Sequence, residues 1–267
     1  MSNSAEPAGA VVVTGAAGGI GSAVVNAFLT RGIPVVAVDR ERGEASSGSG
    51  CSAPPKPGSA CAPREGAKLS WVTGDAGEPE VVERAIAAAT AFGGPRTLVT
   101  ATFTDHRGAL LELGAADVTG VIDRQIRQAW LWSTRLVAAT PDPAGTAIVH
   151  ISSVHAGAAA DGCAPYAMAK AALEALTRAM AVEWGPLGVR CNAVAPGFVP
   201  VARNAHRWAA GATDAASIAR RLPLRRVVTA QDVAECAFFL AGPGAGGITG
   251  VSIPVDAGMG AALPQWA

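Results

Sequence analysis

Short apolar runs recur along the chain at residues 10–13, 34–39, 69–73, 97–101, 147–152, 189–194 and 251–255, with longer amphipathic segments between most of them. Several runs are apolar at consecutive positions, the pattern of strands covered on both faces. After the first run, Ile20, Ala23, Val24, Ala27 and Phe28 fall on one face of a helix; later, Val118, Ile122, Gln125, Ala129, Trp132 and Leu136 do the same. Strands of this kind alternating with helices predict an α/β fold, a doubly wound parallel sheet of about seven strands with helices on both faces. With 267 residues, half of them hydrophobic, the chain can fill the core of one large domain.

Residues 43–66 break the alternation. They are rich in Gly, Ser, Pro and Ala and hold almost no large apolar side chain. Such a stretch cannot bury enough surface to offset its ordering entropy, so it reads as a flexible surface insertion. It is too short to be a domain, and the alternation resumes after it, which leaves a single domain over 1–267.

Composition narrows the function classes. Basic and acidic side chains balance at 21 each, which removes the electrostatic argument for nucleic acid or an anionic membrane as partner. No uninterrupted apolar run of about 18 residues predicts a transmembrane helix, and the start MSNSAEPAGAVVVTG lacks the basic region of a secretory signal. The five cysteines are scattered without a CxxC pair, the pattern of reduced thiols rather than a disulfide framework or a metal site. A cytoplasmic protein is expected.

The first chemical motif is Val13-Thr14-Gly15-Ala16-Ala17-Gly18-Gly19-Ile20-Gly21, a strand end, a glycine-rich turn and a helix start. A diphosphate needs backbone N–H groups at close range and a helix N-terminus facing it. Gly15, Gly19 and Gly21 allow the tight turn and put no Cβ in the way. Asp39 ends the second strand, 18 positions after Gly21, near the spacing of an acid that reads a ribose. A carboxylate there accepts from the 2′- and 3′-hydroxyls and repels a 2′-phosphate, so NAD is favoured over NADP. Arg40 keeps the second option open: its guanidinium either pairs with a 2′-phosphate or is a solvated loop charge.

The second motif follows the 147–152 strand. Ser152-Ser153 ends it, and 13 residues later comes Tyr166-Ala167-Met168-Ala169-Lys170, which holds the only tyrosine in the chain. Positions i and i+4 share a helix face, so phenol and ammonium stack one turn apart. A phenol ionises near pH 10 and is a poor base at neutrality. An ammonium about 4 Å away, at an effective dielectric of ~20, favours the phenolate by roughly 4 kcal/mol. That brings a tyrosine toward the pH at which a proton-transfer group works best, and a serine hydroxyl beside it can orient a carbonyl or alcohol.

With these pieces the chain resembles the short-chain dehydrogenase/reductase family over nearly its whole length. The resemblance is carried by the glycine turn, Asp75, Ile151-Ser152-Ser153, Tyr166 with Lys170, Asn192-Ala193-Val194-Ala195-Pro196-Gly197, and Pro254-Val255-Asp256-Ala257-Gly258. It implies a Rossmann-type domain in which Tyr166 is the general acid/base, Ser153 holds the substrate oxygen, and Lys170 lowers the tyrosine pKa and binds the nicotinamide ribose. It further implies that Asp75 faces the adenine edge, that Pro196, Gly197 and Val199 meet the nicotinamide end, and that segments 117–139 and 165–184 pair in a homotetramer or homodimer.

Two departures stand out. The family's Asn-Asn-Ala-Gly after the fourth strand is here Thr100-Ala101-Thr102-Phe103, and Phe103 either crowds the adenosine side, enters the core or turns toward substrate. The family's asparagine in the helix before the serine strand aligns with Gln125, which either takes its place in a proton relay or is a satisfied structural amide. His155 and Cys163 lie between serine and tyrosine and either line the substrate cleft or are a loop histidine and an inert thiol. His106 follows the altered loop and is a further candidate for the cleft. Segment 198–222 stands where the family has a substrate lid; Phe198 and Trp208 are its substrate candidates.

The expected activity is hydride transfer between a nicotinamide cofactor and a secondary alcohol or ketone of a small apolar substrate. The alternatives are a non-redox reaction on the same fold (dehydration, cyclisation or isomerisation) and a non-catalytic dinucleotide-binding protein.

Overall fold

The computed structural model describes residues 9–42, 66–201 and 214–262. Nearly all of the 43–66 insertion, and Trp208, lie outside them. Seven strands, β1 (Ala10–Thr14), β2 (Val35–Asp39), β3 (Leu69–Thr73), β4 (Pro95–Thr100), β5 (Ala147–Ile151), β6 (Arg190–Pro196) and β7 (Ser252–Val255), form one sheet. Every pairing is parallel, in the order β3-β2-β1-β4-β5-β6-β7. The helices are α1 (Gly19–Leu29), α2 (Pro79–Thr90), α3 (Ala115–Ala138), α4 (Ala164–Trp184), a short α5 (Ala215–Arg221) and α6 (Ala230–Ala241). The expected strands are all present, with 69–73 matched at both ends and no end of the others moved by more than two residues.

Two cores explain why the central strands carry apolar residues at consecutive positions. Val11, Val13, Val99, Val149 and Val194 face α1 and α6, whereas Val12, Val36, Leu98 and Ile148 face Val81 and Ala85 of α2, Trp132 and Leu136 of α3, and Met180 of α4. Helix ends are tied to specific side chains. The Thr229 hydroxyl accepts from Asp232 N at 3.1 Å while Asp232 Oδ2 accepts from Thr229 N at 2.8 Å, a reciprocal box that starts α6. Arg190 on β6 donates to the carbonyls of Leu240, Ala241 and Gly242, satisfying the free end of that helix. Trp132 Nε1 donates to Ala76 O at 2.7 Å, fixing α3 against the end of β3.

The α3 stripe differs from its sequence pattern. Gln125, Ala129, Trp132 and Leu136 are buried as expected, but Val121 and Gln128 are buried where Val118 and Ile122 are only half-covered. Among the described residues no helix is long and apolar enough to cross a membrane.

Candidate active site

Between β1 and β4 the strand order reverses, and the crevice beyond their C-terminal ends is where an open α/β sheet receives ligands. The glycine turn occupies that crevice. Gly15 has φ +70°, and a Cβ there would lie 2.5 Å from the Ala101 carbonyl oxygen; one on Gly21 would collide with the Gly15 carbonyl. Gly18, which precedes α1, offers no side-chain cap, and the first turn carries no acidic residue, so among the described residues no N-cap or first-turn side chain satisfies the N–H groups that open this helix. Gly18 and Gly19 are exposed and Ile20 is half-buried.

Asp39 closes this end of the crevice. Its Oδ2 accepts from Ala17 N at 2.9 Å and its Oδ1 from Arg40 N at 2.7 Å, so the carboxylate is held against the turn while Arg40 itself is exposed. Asp75, also exposed, accepts from Gly77 N at 2.7 Å in a local turn. Across the sheet, Pro196 ends β6 and Gly197 N donates to Val255 O at 2.9 Å. A Cβ on Gly197 would come within 2.9 Å of Asp256 Cα. Phe198 is half-buried and Val199 buried.

Tyr166 and Lys170 sit one turn apart on α4, both buried. Lys170 Nζ donates to Ile151 O at 2.8 Å and lies 5.6 Å from the Tyr166 ring centroid. An ammonium 2% exposed and bonded to a strand carbonyl is a fixed charge, little screened by solvent. Ser153 follows β5, and its Oγ accepts from His155 N at 3.2 Å. The Tyr166 ring has neighbours on two sides, Phe103 at 5.5 Å and His155 edge-on at 5.6 Å between centroids. Phe103 therefore turns toward the tyrosine. Gln125 is buried, and its Nε2 donates to Thr102 O at 3.4 Å, tying α3 to the loop after β4. His106 is half-exposed, with Nε2 3.6 Å from Asp117 Oδ1 at the start of α3.

Other side chains at the site carried no sequence signal strong enough to single them out. His150 is fully buried, its Nδ1 hydrogen-bonded to Thr100 Oγ1 on β4 at 2.8 Å, and among the described residues its Nε2 has no partner. Burial, and then the nearby Lys170 charge, push its pKa down to about 3. A histidine inside the apolar run 147–151 was the available clue. Arg107 had none, because loop residues have no periodicity. Its Nε donates to Asp105 Oδ2 at 2.7 Å and its Nη1 to Cys163 Sγ at 2.9 Å. Burial opposes the Arg107 charge, but the bond and charge of Asp105 outweigh it and raise the pKa. His155 is shifted down, by burial and then by Arg107. Among the described residues no cluster of His, Cys, Asp and Glu could hold a metal ion.

Residues 15–260 match a family model described as Enoyl-(Acyl carrier protein) reductase. An uncharacterized short-chain type dehydrogenase/reductase of Sinorhizobium fredii is 31% identical over 95% of this chain, although the chain spans only 44% of that protein. The cis-4-hydroxycyclohexanecarboxylate dehydrogenase of Sinomonas cyclohexanicum is 31% identical, over 92% of this chain and 94% of its own length. Among solved structures, the ligand-free aldohexose dehydrogenase of Thermoplasma acidophilum superposes with a TM-score of 0.80 at 25% identity, covering 97% of this chain and 96% of that one.

Proposed function

This chain belongs to the short-chain dehydrogenase/reductase family, and on that footing we propose that it interconverts a secondary alcohol and a ketone with NAD as its redox cofactor. The observation that carries the reading is the Tyr166–Lys170 pair, a phenol and a buried ammonium one helical turn apart at the C-terminal edge of the sheet. Tyr166 is the group that exchanges the proton with the substrate oxygen. Lys170, held by the Ile151 carbonyl, stabilises the phenolate that forms when the proton leaves. Ser153 Oγ orients the same substrate oxygen.

The chain's own surfaces fit a dinucleotide. The cradle at Gly15, Gly19, Ile20 and Gly21, with the uncapped start of α1, suits a diphosphate, since a Cβ at these glycines would fill it or meet neighbouring atoms. Asp39 suits the two hydroxyls of the adenosine ribose and repels a 2′-phosphate, which favours NAD; the exposed Arg40 is the residue that would favour NADP. Asp75 is assigned to the adenine edge, Tyr166 and Lys170 to the second ribose, and Pro196, Gly197 and Val199 to the nicotinamide end. When bound, the nicotinamide supplies or accepts the hydride. Gln125 is assigned to the proton path that refills Lys170.

His155, Cys163 and Phe198 are assigned to the substrate side, where the Phe103 ring against Tyr166 adds apolar surface. Dehydrogenation of a hydroxylated carbon agrees with the names of the Sinomonas and Thermoplasma relatives. A groove on the outer faces of α3 and α4, lined by Trp130, Val137, Leu176, Met180 and Trp184, supports pairing of these helices in a homotetramer or homodimer. A cytoplasmic setting agrees with the free thiols of Cys163, Cys191 and Cys236.

Calorimetric titration with NADH and separately with NADPH, followed by a panel of secondary alcohols and ketones, tests the reading. Expected are tighter binding of NADH than of NADPH, and turnover that falls at least ~100-fold in Tyr166→Phe with NADH affinity retained. Product formed without any absorbance change at 340 nm would replace the redox reading with a non-redox one. Binding of neither dinucleotide would remove it.

A further inference from the structure

The loop between β4 and α3 brings a guanidinium to the rim of the site that the cofactor cradle and the Ser153–Tyr166–Lys170 group leave unexplained. Asp105, whose side chain is 8% exposed, accepts from Arg107 Nε and orients the guanidinium. Arg107 is more open, its side chain 41% exposed. Its Nη1 contacts the sulfur of Cys163, the residue that precedes α4. Cys163 is the N-cap residue of α4, three positions before Tyr166. The guanidinium is near enough for its charge to be felt by Tyr166 and by His155, whose ring meets the tyrosine edge-on.

A thiol is a weak partner for such a group. Sulfur accepts poorly and offers one atom, whereas a carboxylate offers two oxygens that match two parallel N–H bonds. Among the described residues Arg107 Nη2 donates to nothing, so the Nη1–Nη2 edge lacks a two-oxygen acceptor.

We infer that Arg107 anchors a carboxylate on the substrate, so that the site selects hydroxy and oxo acids over neutral alcohols and ketones. The inference rests on Tyr166 as the reacting phenol. A carboxylate arriving on the Nη edge replaces one sulfur contact with two charge-assisted hydrogen bonds and places the rest of the molecule toward Tyr166. Asp105 cancels most of the long-range field of Arg107, so the anchor acts at hydrogen-bond range and contributes little steering.

Calorimetry on the full-length protein, with and without NADH, tests this with two unreactive probes of similar shape, cyclohexanecarboxylate and cyclohexanecarboxamide. On the unaltered protein the carboxylate is expected to bind at least ~10-fold tighter than the amide, a difference of about 1.4 kcal/mol. Arg107→Met keeps the aliphatic stem and should abolish the preference; Arg107→Lys keeps the charge without the fork and should retain part of it. The amide and NADH affinities should stay within about twofold in both variants. A carboxylate bound no tighter than the amide overturns the inference, as does an equal loss of both probes in Arg107→Met, which would make Arg107 a clamp between loop and helix. Were Arg107→Met unable to fold, the probe ratio on the unaltered protein and on Arg107→Lys would decide. Carboxylate selectivity without turnover of any hydroxy or oxo acid would instead preserve the anchor and remove the dehydrogenase reading.

Discussion

His150 makes the stability of this fold depend on pH in a way that can be worked out. The ring has no solvent exposure, bonds Thr100 through Nδ1, and titrates at about 3 in place of 6.5, because burial and then the Lys170 charge oppose its protonation. Between those two values the unfolded chain binds a proton that the folded chain refuses, so stability rises with pH across this window. It is lost as pH falls below about 6.5 and continues to fall toward 3. Each unit inside the window is worth about 1.4 kcal/mol, so moving from pH 7.5 to pH 5 costs about 2 kcal/mol through this one ring. His150→Asn keeps an amide able to bond Thr100 and cannot titrate. At pH 7.5 it should lower stability by about 1–2 kcal/mol through lost packing, yet its loss between pH 7.5 and 5 should be smaller by about 2 kcal/mol. Urea unfolding of both proteins at both pH values, at one protein concentration, reads the difference, in which the carboxylates cancel. Equal losses in the two proteins would refute the buried neutral ring.

Other perturbations are more direct. Gly15→Ala places a methyl 2.5 Å from the Ala101 carbonyl at φ +70°; a melting curve should show a loss of about 2 kcal/mol or more, and calorimetry an NADH affinity at least ~10-fold weaker. Gln125→Ala should alter the pH–rate profile if the buried amide serves the proton path, whereas an unchanged profile with lowered stability assigns it to holding the Thr102 carbonyl. Trp130→Glu puts a charge on an aromatic that is 53% exposed beside the α3–α4 groove, and sedimentation should shift toward smaller species. An unchanged assembly would place the subunit contact elsewhere.

The features legible in the sequence are those set by neighbours along the chain. Runs apolar at consecutive positions specify strands covered on both sides, because side chains alternate between faces, and that was enough for the parallel sheet and its flanking helices. The glycines of the first turn and the one-turn spacing of Tyr166 and Lys170 are backbone geometry over a few residues. What tertiary structure decided concerns residues far apart in sequence. Phe103 turns to Tyr166, His150 bonds Thr100 fifty positions away, and Arg107 reaches Cys163 across 56. These contacts exist because β4 lies between β1 and β5, so that the loop after β4 passes between the glycine turn and the start of α4. Hydrophobic period records which face of an element is buried, and it carries no record of which strand lies beside which. That order arises from closing chain crossovers over a twisted sheet, and with it come the neighbours of every loop side chain at the sheet's edge.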